Sequence, residues 1–126
     1  MSRRSPLGRV RGLGSAKEGA GHWWGLRFSA LALIPLTLWF AASVAVMSGA
    51  GYETVRAWAA SPLVAGLLLL LIVAVFYHGA RGLQEVIEDY VPRKSVKFTA
   101  ILAVQAASIV LGLTGVLSVL LLLFRV

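Results

Sequence analysis

Residues 63–91, LVAGLLLLLIVAVFYHGARGLQEVIEDYV, decide the fold. A long apolar run reaches Tyr77 and leads into His78 with no turn signal. Helix formers continue to Tyr90, and Pro92 then interrupts the pattern. The stretch predicts one helix that crosses a membrane and projects beyond it. At about 100° per residue, Gly82, Glu85 and Asp89 each fall within roughly 40° of His78, so an imidazole and two carboxylates share a stripe. Tyr90 lies off that stripe, at the helix end.

Ionisable groups inside a span are costly and are usually kept because they bind, conduct or pair with something. A neutral imidazole can ligate iron through one nitrogen while a hydrogen bond holds the other. Gly79 and Gly82 remove side chains beside His78, which lets a flat macrocycle or a neighbouring helix approach closely. The plainer reading of the same pattern is an interfacial histidine near the lipid headgroups.

The rest of the chain agrees with a membrane setting. Of 126 residues, 59% are hydrophobic and 13% charged, and the mean hydropathy is +0.84, far from a soluble globular domain. There are no cysteines, which excludes disulfides, thiolate ligation of iron–sulfur clusters and thiol nucleophiles within this chain. Any iron–sulfur cluster belongs to a partner. The net charge of +7 does not point to nucleic acid, because the basic residues flank apolar runs and are explained by lipid headgroups and topology.

Residues 1–21 are rich in Arg, Ser and Gly, with Arg3, Arg4, Arg9, Arg11 and Lys17 against the single acid Glu18. They are expected to form a flexible basic tail. A mitochondrial transit peptide also starts Arg-rich and acid-poor; the tail is preferred because the distribution of positive charge already accounts for it. Three spans are expected in the remaining segment, 22–126, at about 26–47, 63–82 continuing to 90, and 98–124. The first opens with His22, Trp23, Trp24 and Arg27, where tryptophans suit the membrane interface, and contains Pro35. The link at 48–61, SGAGYETVRAWAAS, reads as a short interfacial loop with Tyr52 and Trp58 at headgroup depth. Pro62 opens the second helix where its missing N–H costs little. Ser95 is a candidate cap for the third. Ala103, Ala107, Gly112 and Gly115 offer the third span close-packing positions.

Counting Lys and Arg by side gives ten on the side of the N-terminus and the second link, against Arg56 and Arg125 on the other. The excess puts the N-terminus inside.

Two segments then carry a resemblance. HWWGLRFSALALIPL and FYHGARGLQEVIEDYV resemble the His-Trp-Trp start and the heme-ligand helix ending in Asp-Tyr of the small membrane-anchor subunits of succinate dehydrogenase, the D subunits of respiratory complex II. The likeness covers most of the chain, from about His22 to the third span. It implies an all-α, three-span anchor that packs with a C-type anchor subunit into a helical bundle around heme b. It also implies that His78 is one axial ligand of the heme iron, the C-type subunit giving the other. Asp89 and Tyr90 would occupy ubiquinone-site positions, with the Tyr90 hydroxyl on a quinone carbonyl, and Arg27 would lie near the heme propionates or the quinone pocket. FAD and the iron–sulfur clusters would sit on the flavoprotein and iron–sulfur subunits alone, so this subunit is not an enzyme by itself. The expected location is the bacterial inner membrane, as a multi-pass protein. Ser29 stands where the family commonly has Thr, and Leu26 where it often has Gln.

His22 reads as an interfacial anchor, Glu85 and Glu88 as a solvated helix face, and Arg81 as an i,i+4 partner for Glu85 or a guide for a propionate. The chain offers no nucleophile–base pair, phosphate loop or metal-ligand cluster of its own. Two other readings are open: the cytochrome b anchor of another quinone-linked oxidoreductase such as fumarate reductase, or a small non-heme membrane protein of assembly or transport.

Overall fold

A computed structural model describes residues 16–124. Four helices follow in order: α1 (Ala16–Val46), α2 (Tyr52–Ala59), α3 (Pro62–Tyr90) and α4 (Lys94–Phe124). Three of them, over Trp23–Val46, Pro62–Tyr90 and Lys94–Phe124, are long and apolar enough to cross a membrane. At 1.5 Å per residue a helix the length of α4 is about 46 Å long, so it tilts or projects from a hydrocarbon layer of roughly 30 Å.

The middle helix organises the others. α1 and α4 both pack on α3 and, among the described residues, do not pack on each other. Small residues make these contacts close. Ala65 and Ala74 of α3 are buried, and Gly112 and Gly115 of α4 lie against Phe76 and Ile72, where an added Cβ would come within 3.5 and 3.3 Å of those side chains. The two glycines thus do what their spacing suggested, whereas Ala103 and Ala107 remain exposed. Few residues are buried in all, and large apolar side chains such as Phe28, Leu38, Leu63 and Ile109 point outward, as lipid-facing residues must. Span hydroxyls turn inward instead: Ser43, Thr99, Thr114 and Ser118 each donate to the carbonyl four residues back, at 2.7–2.8 Å.

The link at 48–61 is not a plain loop. Gly49 (φ +82°) reverses the chain after α1, a backbone conformation suited to glycine, and Tyr52–Ala59 then forms two turns of helix. Alanines and an i,i+3 pair between Glu53 and Arg56, 3.9 Å apart, favour that helix. Its apolar side is held down: Ala59 is buried against Ala65, Leu68 and Val119, and the Trp58 ring stacks on Trp39 at 5.7 Å. Tyr52 stays exposed, while Trp58 turns into the fold.

Helix ends deviate in similar ways. α1 begins at Ala16, so the expected boundary between tail and anchor at residue 22 falls within a helix; residues 1–15 lie outside the described residues. α1 runs on through Pro35, which leaves the Leu31 carbonyl without its usual partner. Pro62 does occupy the first turn of α3, and Val91 is extended (φ −98°, ψ 110°), as a residue before proline must be. α4 starts at Lys94, with Lys97 N–H bonded to the Arg93 carbonyl. Ser95 therefore lies inside α4 and does not cap it.

Candidate functional site

His78 sits where α3 faces α1. Its Nδ1 is 3.0 Å from Ser29 Oγ, and Ser29 is the buried polar residue of the described chain. Ser29 Oγ also lies 2.9 Å from the Leu26 carbonyl; with its proton directed there, the hydroxyl accepts from His78. In that arrangement Nδ1 carries the imidazole proton, and Nε2 keeps its lone pair. This is the tautomer a metal-binding histidine needs: one nitrogen fixed by a hydrogen bond, the other free to coordinate.

The helix pair that makes this contact is held close one turn away. At Gly25 of α1 a Cβ would overlap the Tyr77 hydroxyl of α3, so the glycine admits the ring. Tyr77 is also covered by Arg81, whose guanidinium carbon is 5.6 Å from the ring centroid. Gly25, Ser29 and Tyr77 line an apolar cleft of about 340 Å³ with Leu36, Leu70 and Ala74. Gly79 and Gly82 have nothing within 4 Å of where a Cβ would stand. The α3 face beside His78 is therefore open to a flat group or another helix.

The other residues singled out from the sequence lie apart from His78. Arg27 is exposed and covers the Trp23 ring at 5.0 Å; two positions before Ser29, it projects about 160° from the side that meets His78. Asp89 and Tyr90 end α3, both exposed, and Tyr90 is about 18 Å along the axis from His78. Glu85 is on the His78 side of α3 and exposed, and Glu88 accepts a hydrogen bond from Gln84 at 3.0 Å. His22 lies on α1 with its side chain outside the described residues. Among the described residues no three His, Cys, Asp or Glu side chains gather as a metal cage.

Sequence reasoning missed Ser29 and Gly25 as working parts. The nearest signal is the Arg-x-Ser-Ala run behind the double tryptophan, where Ser29 stands in place of the Thr common in the family.

Comparison with known proteins places the chain as a whole. The family model described as succinate dehydrogenase/fumarate reductase transmembrane subunit matches residues 1–115. A succinate dehydrogenase hydrophobic membrane anchor subunit from Paracoccus denitrificans is 35% identical over 86 residues, 68% of this chain and 67% of the relative. One from Rickettsia bellii is 29% identical over 106 residues, 84% of this chain and 85% of the relative, and one from Rickettsia conorii is 27% identical over 108 residues, covering 85% and 86%. No solved structure matches significantly. Three apolar helices and a match along nine-tenths of its length show that the chain belongs to the succinate dehydrogenase/fumarate reductase transmembrane subunit family, among its hydrophobic membrane anchors.

Proposed function

We propose that this membrane anchor of succinate dehydrogenase contributes His78 as one axial ligand of heme b, shared with a C-type anchor subunit, and places Asp89 and Tyr90 at the site of ubiquinone reduction. The observation that carries the reading is the Ser29–His78 contact, which leaves Nε2 free beside an open glycine face. A single imidazole would suit iron already held by four porphyrin nitrogens, which needs only axial ligands. When bound, the heme supplies a one-electron redox centre; the chain's part is to orient the imidazole and to keep its tautomer.

Tyr90 projects from the end of α3, where a phenol O–H can donate to a quinone carbonyl whose oxygen gains negative charge on reduction. Asp89 beside it can order a proton donor or the phenol. Arg27, exposed at the same end of the bundle, can pair with a propionate or line the quinone pocket with the stacked Trp23. This end also carries the basic residues of the second link, and the ten-to-two excess of Lys and Arg supports an inside location for it. The flavoprotein and iron–sulfur subunits would dock there, with FAD and the clusters on them, in the inner membrane of a bacterium.

Isolation of the tagged chain in mild detergent tests the reading. It should carry succinate-oxidising subunits, a b-type heme and quinone reductase activity, and their joint absence would overturn it. Fumarate as the favoured substrate would move the assignment to the fumarate reductase branch that the family description also covers. Tyr90→Phe should lower quinone reduction by roughly a hundredfold while heme content and electron transfer to artificial acceptors hold; unchanged quinone turnover would remove Tyr90 from the site.

A further inference from the structure

A second polar constellation lies between α3 and α4. A cleft of about 380 Å³ is lined by Arg81 and Gln84 of α3 and by Gln105 and Ser108 of α4, over an apolar floor that includes Phe76 and Ile109. Neither the proposed heme ligand nor the quinone residues belong to it. We propose that this cleft binds the phosphate group of an anionic membrane phospholipid.

Depth is the first support. From Pro62 to Arg81, and back from Phe124 to Gln105, the helices rise about 28 Å, close to the thickness of a bilayer's hydrocarbon core. Both sides of the cleft therefore reach the boundary nearer the basic second link, where lipid phosphates lie. Chemistry is the second. Arg81 is half-buried along the Tyr77 ring, and among the described residues no carboxylate pairs with it. A guanidinium at this depth calls for an anion. Ser108 differs from Thr99, Thr114 and Ser118 in making no side-chain hydrogen bond among the described residues, so its hydroxyl remains a donor for a phosphate oxygen.

The glutamines are fixed to leave those donors clear. Gln105 Nε2 donates to Gln84 Oε1 at 3.2 Å, and Gln84 Nε2 donates to Glu88 Oε1 at 3.0 Å. The Glu88 carboxylate is thereby held about 10 Å along the helix from Arg81, and Glu85, one turn on, has its own partner. A free phosphate would leave the apolar floor uncovered, whereas an acyl chain follows it toward the membrane centre. Arg81 lies about 160° round α3 from Gly79 and about 100° from Gly82. A partner subunit seated on the glycines would leave it facing lipid, a step that rests on the proposed function.

The test is native mass spectrometry of the chain with its accompanying subunits, released from nanodiscs of phosphatidylglycerol and phosphatidylcholine. Wild type should keep a phosphatidylglycerol molecule in preference to phosphatidylcholine. Arg81→Gln should lower that retention about tenfold, Ser108→Ala should lower it less, Arg81→Lys should recover most of it, and Arg56→Gln at the other membrane face should change nothing. Equal retention by Arg81→Gln overturns the proposal, as does displacement of the lipid by inorganic phosphate or the finding of quinone in its place. The heme spectrum of Arg81→Gln separates the two readings: intact heme with unchanged lipid sinks this proposal alone.

Discussion

Ser29 has one hydroxyl proton and two acceptors within reach, the Leu26 carbonyl and His78 Nδ1. Which of them takes the proton fixes which imidazole nitrogen of His78 keeps its lone pair, and so what the histidine can do; the proposed ligand role requires the Leu26 carbonyl to take it. Ser29→Ala should leave the fold intact but let the ring turn and lose its tautomer. Outer-shell partners of metal ligands typically matter ten- to a hundredfold, so heme retention should fall by roughly that factor, measured as heme per complex after dilution in detergent. Retention equal to wild type would show that the contact does not orient the ligand. A histidine at the end of a span was legible in the sequence; its partner was not. Ser29 is 49 positions away, and only the rotation of α1 against α3 brings the two together.

At the level of helices, the approach of α1 to α3 depends on Gly25, which admits the Tyr77 hydroxyl. Gly25→Ala should cost about 1–3 kcal/mol as the crowded ring is forced aside, read as a lower unfolding temperature in detergent. Tyr77→Phe in the same chain should return most of that stability, because it removes the atom in the way. A Gly25→Ala protein as stable as wild type would mean that the helices do not come this close. The three spans were readable because twenty or so apolar residues have few other fates. α2 was not, because eight residues of mixed polarity lie below the length at which a helix announces itself; its helix is stabilised by Trp58 on Trp39 and Ala59 on Ala65. The start of α4 was placed late for a related reason. Hydropathy marks where apolar residues begin, whereas Lys94, Ser95 and Lys97 extend the helix beyond that point.

For the whole molecule, the two ends of the bundle differ in charge, and that difference sets the expected topology. The chain has no cysteine, so single substitutions can report on it. In intact cells Tyr52→Cys should react with a membrane-impermeant thiol reagent from outside, and Lys94→Cys only after the membrane is opened; the reverse pattern would invert the orientation. Helices α1 and α4 flank α3 without closing around it, so large apolar surfaces stay open and suit lipid and a second anchor subunit. Within that open frame one nitrogen atom, His78 Nε2, is the proposed link to heme iron. The most direct measurement is the reduced-minus-oxidised absorption spectrum of the isolated complex carrying His78→Ala, set against wild type. Loss or marked weakening of the b-type heme bands, with the subunit still present, is the expected result, and an unchanged b-type spectrum would contradict it.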